Sequence, residues 1–161
     1  MLGLPQAAKF RLKEHTMQQE WNINRAIGWS SMALGVATGL VMGLWSFAGP
    51  VPVPETLGEY GDVSRRLARL GHIAFFGLGI LNILLVRELH ALDLGRGQRR
   101  VAAWAMNFGN VFLPLTLFAA AVWHPLKYTM PLPAISVFVA MVIAALGAVK
   151  AWRRSSDETC P

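Results

Sequence analysis

Four long stretches of the chain carry no charged side chain: residues 26–48, 70–86, 101–123 and 132–149. A bilayer core about 30 Å thick takes about 20 apolar residues to cross as a helix. The first and third stretches reach that length alone, and the other two reach it with their flanking residues. An open strand would leave backbone N–H and C=O groups unpaired in lipid, so each stretch reads as a helix. The pattern predicts an all-α integral membrane protein, a four-helix transmembrane bundle with spans at about 26–48, 67–86, 101–124 and 132–150. Residues 1–25 form an N-terminal segment, 26–151 the transmembrane domain and 152–161 a tail. Residues 6–24 are polar with scattered apolar positions, which fits either a short helix on the membrane surface or a partly ordered tail. Pro50, Pro52 and Pro54 alternate in the longest connection and favour an extended, polyproline-like path.

The basic residues give the direction of insertion. Lys9, Arg11, Lys13, Arg25, Arg87, Arg96, Arg99, Arg100, Lys150, Arg153 and Arg154 fall on one side, and only Arg65, Arg66, Arg69 and Lys127 on the other. Positive residues are retained in the cytoplasm, so both termini are expected inside (N-in/C-in), in the inner membrane of a bacterial cell. Trp45 and Trp123 at the outer ends, and Trp29, Trp104 and Trp152 at the inner ends, fit an interfacial belt. The first apolar run starts too far from Met1, and is too long, for a cleaved signal peptide.

Charged residues make up 15% of the chain, against about 25% in soluble domains, so lipid is expected to cover much of the surface. The net charge of +6 does not point to nucleic acid, because the cations flank apolar runs instead of lining a stripe with exposed aromatics. Cys160 is the single cysteine. It has no partner for a disulfide or a cysteine metal site within the chain.

Small residues mark the packing faces. Ser31, Gly35, Gly39 and Gly43 recur every four positions in span one, and Ala140, Ala144 and Ala148 do so in span four. Side chains four apart share a helix face, and small ones let a second backbone approach closely in lipid. Packing within the chain is the first reading. A groove for a partner's helix or a flat cofactor is the second. Span three carries a seam of Ala103, Asn107, Asn110, Pro114, Leu117, Ala121 and His124 in steps of three and four. Pro114 has no N–H for the carbonyl of Asn110. Asn82 of span two and Asn107 should lie at one depth and pair through their amides. The other reading of this cluster is the polar edge of a quinone or pigment site.

In the outer half, Arg65, Arg69 and His72 stand at i, i+4 and i+7 on one face of span two, and His124 ends span three on the same side. Two histidines on adjacent helices can ligate haem iron, and arginines can pair with haem propionates. His72 lies about five residues deeper than His124, or roughly 7 Å at 1.5 Å per residue, which sets the two out of register. Glu55, Glu59 and Asp62 stand ready to balance Arg65 and Arg66 or to meet a basic partner.

No GxGxxG, phosphate loop, HExxH, nucleophile elbow or CxxCH occurs, and no carboxylate or lysine sits mid-span. The leading expectation is a non-catalytic subunit of a multisubunit bacterial energy-converting complex, respiratory or photosynthetic. Its partners would be other membrane subunits or further copies of itself, with lipid, and with quinone or pigment as alternative occupants of the grooves. The second expectation is a small b-type cytochrome holding haem b between spans two and three through His72 and His124, with Arg65 and Arg69. An independent channel or carrier ranks last, because such proteins need ionisable groups mid-membrane.

Overall fold

The computed structural model describes the backbone of residues 6–46, 49–59 and 61–158, and side chains only from residue 21 to residue 156 within those ranges. Cys160 lies outside the described residues. Four helices follow one another: α1 (Gln6–Gly43), α2 (Val63–Glu88), α3 (Arg96–Val122) and α4 (Pro131–Glu158). Short 3-10 turns at Glu55–Leu57 and His124–Thr129 occupy two of the three connections. All four helices contain a segment long and apolar enough to cross a membrane, and the described residues contain no strand.

The helix ends follow local chemistry. The backbone carbonyl of Asp62 accepts from Arg66 at 3.0 Å, and its carboxylate accepts from the Glu59 N–H at 2.7 Å, which joins the preceding turn to the start of α2. Gly58, at φ +61° and ψ −155°, closes the first 3-10 turn in a region that only glycine adopts readily. Helix α3 stops at Val122, short of Pro125, which has no N–H for the Ala121 carbonyl and whose ring would clash with it in a continued α-helix. Trp123 is extended there, at φ −128° and ψ 97°. His124 therefore begins the second 3-10 turn rather than ending span three. Helix α1 runs unbroken through residues 6–24, so that segment and span one are a single element. Its helix ends at Gly43, short of the expected residue 48.

Helices α1, α2 and α3 pack against one another, and α4 lies along α3. The bundle thus has a terminal end, with the start of α1, the end of α4 and the α2–α3 connection, and a distal end with the other two connections. The α1–α2 seam is built on glycine. A Cβ on Gly79 would stand 2.7 Å from the carbonyl of Gly28, and one on Gly28 would stand 2.6 Å from Ile83. Two backbones in such contact exclude any larger residue. Farther along, a Cβ on Gly35 would meet Phe76 at 3.1 Å and one on Gly39 would meet the His72 ring at 2.5 Å, whereas one on Gly43 would meet nothing within 4 Å among the described residues. Three of the four small residues on the span-one stripe thus face α2 within the chain, and Gly43 does not.

Helix α4 fits against α3 where Gly109 admits Val137, and Ala140 is fully buried there. Leu85, Leu89, Leu94, Ala102, Ala103 and Met106 complete this core toward the terminal end. Gly147 packs on Leu94, and Arg154 pairs with Asp93 at 3.1 Å. That exposed pair contributes at most about 1 kcal/mol, so apolar packing holds α4. Its outer flank, with Ile135, Phe138, Val142 and Leu146, is bare.

Candidate functional site

The buried polar side chains line up along the seam of α1, α2 and α3 in successive layers. Nearest the terminal end, three asparagines, one per helix, close a ring. Asn24 Nδ2 donates to Asn82 Oδ1 (2.8 Å), Asn82 Nδ2 to Asn107 Oδ1 (2.9 Å) and Asn107 Nδ2 to Asn24 Oδ1 (3.0 Å). Reversing all three amides would close the ring equally well. The carbonyl of Ala103, 3.2 Å from Asn24 Nδ2, fixes the direction because it can only accept. All three residues are at most 4% exposed. The sequence pairs Asn82 with Asn107, and the structure brings them together and adds Asn24.

The second layer joins Ser31, Phe75 and Asn110. Ser31 Oγ lies 2.8 Å from the Phe75 carbonyl and 2.8 Å from the Asn110 side chain. A serine hydroxyl has one proton. If that proton goes to the Phe75 carbonyl, Asn110 satisfies the contact by turning its Nδ2 toward Ser31, where the hydroxyl oxygen accepts. This orientation also gives a partner to an amide nitrogen that would otherwise be buried without one. Pro114, also buried, deprives the Asn110 carbonyl of its intrahelical donor.

The third layer is His72, whose Nδ1 lies 2.7 Å from the Gly35 carbonyl and 3.4 Å from Thr38 Oγ1. A carbonyl accepts, so Nδ1 carries the proton and Nε2 keeps its lone pair. The Thr38 hydroxyl is itself spent on the carbonyls of Leu34 (2.8 Å) and Gly35 (3.0 Å). Arg65, Arg69 and His72 do share a face of α2, and that face is turned toward α1. Arg65, 8% exposed, reaches the Trp45 carbonyl at 3.5 Å, and His72 rests on Gly39.

His124 lies elsewhere. Its Nε2 is 3.4 Å from Ser64 Oγ. Ser64 precedes His72 by eight positions, or about 12 Å along a helix. The two histidines therefore sit in different layers, His72 against α1 and His124 at the α3 end, and the structure does not bring them together on one site between α2 and α3. Among the described residues, no three histidine, cysteine, aspartate or glutamate side chains are grouped to hold a metal.

Sequence reasoning passed over Asn24, Thr38 and Ser64. The available signal was the α1 series Asn24, Gly28, Ser31, Gly35, Thr38 and Met42, which keeps steps of three and four from before Arg25 to the distal end.

Two hollows flank the ladder. One, of about 380 Å³, lies at the distal end between α1, α3 and the first 3-10 turn, with Ala37, Met42, Trp45, Leu57, Phe118 and Ala121 among its walls. The other, of about 360 Å³, opens between α1 and α2 beside His72, Val36, Ile73 and Phe76. At the terminal end, Trp21 meets His90 edge-on, with ring centroids 3.9 Å apart. Burial, and then the positive charge of Arg99, hold the His90 imidazole below its ordinary pKa. Comparison with protein-family models, curated proteins and solved structures finds no match.

Proposed function

We propose that this chain is a non-catalytic, multi-pass subunit of a larger assembly in the cytoplasmic membrane, inserted with both termini inside, and that the assembly is a bacterial electron-transfer complex. The reading is supported by how the buried polar groups are used. Intramembrane polar side chains are costly and mark functional sites by default. Here Asn24, Asn82, Asn107, Ser31 and Asn110 are spent on one another and on backbone carbonyls across three helices. Their work is to fix the geometry of α1, α2 and α3. The orientation is supported by the distribution of basic residues, which favours the terminal end by eleven to four. Purification of the tagged chain from its own membranes in mild detergent tests the reading. Other membrane proteins carrying redox centres should co-purify in fixed stoichiometry. Recovery of the chain alone, as a monodisperse species, would refute the assembly.

One observation favours a second reading, haem binding in a changed form. Histidine ligands commonly donate their other ring N–H to a carbonyl, which aims the free nitrogen at the metal. His72 has that arrangement, with Nδ1–H on the Gly35 carbonyl and the hollow between α1 and α2 beside it. In this form His72 would be one axial ligand, and a partner subunit would supply the other. A reduced-minus-oxidised spectrum of the co-purified assembly, lost in His72→Ala and kept in His124→Ala, would establish it. No absorbance change in either variant would dismiss it.

A further inference from the structure

We propose that the hollow between α1 and α2 binds the head of one hydroquinone drawn from the bilayer, with a ring hydroxyl donating to His72 Nε2. The inference rests on the membrane-spanning reading. At about 360 Å³ the hollow falls within the size range of small-molecule sites, about 300–1,000 Å³. Helix α2 supplies His72, Ile73, Phe76 and Gly77, and Val36 completes the wall from α1. The four α2 positions fall at i, i+1, i+4 and i+5, on one side of the helix. Val36, Ile73 and Phe76 are exposed, so the hollow opens on the outer surface of the bundle. A Cβ on Gly77 would meet nothing within 4 Å among the described residues, which leaves room beside the Phe76 ring.

The walls select the occupant. His72 keeps its Nδ1 proton on the Gly35 carbonyl at 2.7 Å, so Nε2 presents a lone pair. Nε2 has no hydrogen-bond partner among the described residues and stays open to the surface. It can only accept, so the occupant must bring a donor or a metal. A phospholipid brings neither at this depth. Helix α2 has 26 residues, about 39 Å at 1.5 Å per residue, and overruns a core of about 30 Å by a few Å at each end. His72 stands nine residues beyond Val63, roughly 9 Å inside the core and among acyl chains. Val36, Ile73, Phe76 and Gly77 carry no charge and no side-chain donor, so an ionic occupant finds no counter-charge. The same nitrogen serves the haem reading, and the two uses exclude each other. These walls offer nothing to haem propionates, which pair with cations. An uncharged, flat, lipid-soluble ring bearing hydroxyls meets every requirement: its face lies against Phe76 and its O–H reaches Nε2. The oxidised quinone has only carbonyl acceptors, which would set lone pair against lone pair. The site therefore prefers the reduced form.

The test uses the full-length protein in mild detergent with isotope-labelled histidine rings, followed by nitrogen NMR. It is titrated anaerobically with decylubiquinol and, separately, with decylubiquinone. The His72 resonances are assigned by their loss in His72→Phe. In wild type, decylubiquinol should shift the His72 Nε2 resonance saturably, at a concentration about tenfold below any response to decylubiquinone, the worth of one hydrogen bond. Gly77→Leu, at an open position, and Ile73→Trp, at an exposed one, should each abolish the shift by filling the hollow. Either keeps the test decisive should the other fail to fold. His124→Phe removes a histidine outside the hollow and should change nothing. No shift in wild type, equal response to the two ligands, or an undiminished shift in the filled variants would overturn the site. So would a haem absorbance of the purified wild type that His72→Phe removes. Resistance of the chain to alkaline extraction from membranes, measured in parallel, separates failure of the site from failure of the membrane-spanning reading.

Discussion

Opening the asparagine ring at Asn82 should loosen the bundle by a predictable amount. Asn82→Ala removes two of the three ring bonds, those to Asn24 and Asn107. Interhelical side-chain hydrogen bonds in membrane proteins average about 0.6 kcal/mol and reach about 1.7. Losing two of them costs about 1–3 kcal/mol, roughly a 5- to 150-fold shift in the folding equilibrium. Asn107→Ala likewise removes two bonds, and it shares one of them with Asn82. The double variant loses all three bonds. Summing the single variants would count four. The double should therefore be less destabilised than that sum by the worth of the shared bond, about 0.6–1.7 kcal/mol. Steric trapping in bicelles measures reversible unfolding of such proteins and would give the full cycle. Asn22→Ala, on the exposed side of α1, serves as the control and should be neutral. Strictly additive singles, with coupling below about 0.3 kcal/mol, would refute the ring as a cooperative unit.

Other outcomes follow from single contacts. Gly39→Leu should lower recovery and melting temperature in detergent, because its Cβ alone would stand 2.5 Å from the His72 ring, whereas Gly43→Leu, facing open space, should be tolerated. Ser31→Ala should cost about 1 kcal/mol in the same unfolding assay, since it strips a hydrogen bond from both Asn110 and the Phe75 carbonyl. His90 is held below its ordinary pKa of 6.5 in the fold, so the unfolded chain takes up its proton first. Its contribution to stability is complete above pH 6.5, falls as the pH drops below that value, and levels off beneath the folded pKa. His90→Gln should flatten that part of a melting-temperature profile taken from pH 5 to 8, and an unchanged slope would remove His90 as its source.

Much of this arrangement is written in the sequence as period and charge. The uncharged runs place all four helices, and the common depth of Asn82 and Asn107 in their spans predicts their contact, which the structure contains. Asn24 escaped notice because the adjacent Arg25 marked it as lying outside the span. In the helix, Arg25 is exposed while Asn24 turns inward, since neighbouring positions point about 100° apart. The face shared by Arg65, Arg69 and His72 is equally legible. Which helix that face meets is not, because periodicity within one helix carries no record of its neighbour. The pattern suggests a site between α2 and α3, whereas His72 lies on α1. Gly43 continues the α1 stripe in sequence but has nothing opposite it among the described residues, since a glycine pattern shows where an approach is permitted and not where one occurs. His124 was displaced by a local effect, the proline after it, which ended α3 one residue before Trp123.

The proposal that this chain is a subunit of a larger assembly is tested most directly by photo-crosslinking in its own membrane. A photoreactive residue at position 138, where Phe138 is 67% exposed on the bare flank of α4, would be irradiated in intact cells and the adducts identified by mass spectrometry. The account predicts discrete adducts of constant mass with one or a few membrane proteins, matched by the set that co-purifies in mild detergent. Position 40, where Leu40 is 71% exposed on α1, reports on a second helix of the bundle. Adducts with lipid alone at both positions would contradict the account and leave the chain a free-standing membrane protein.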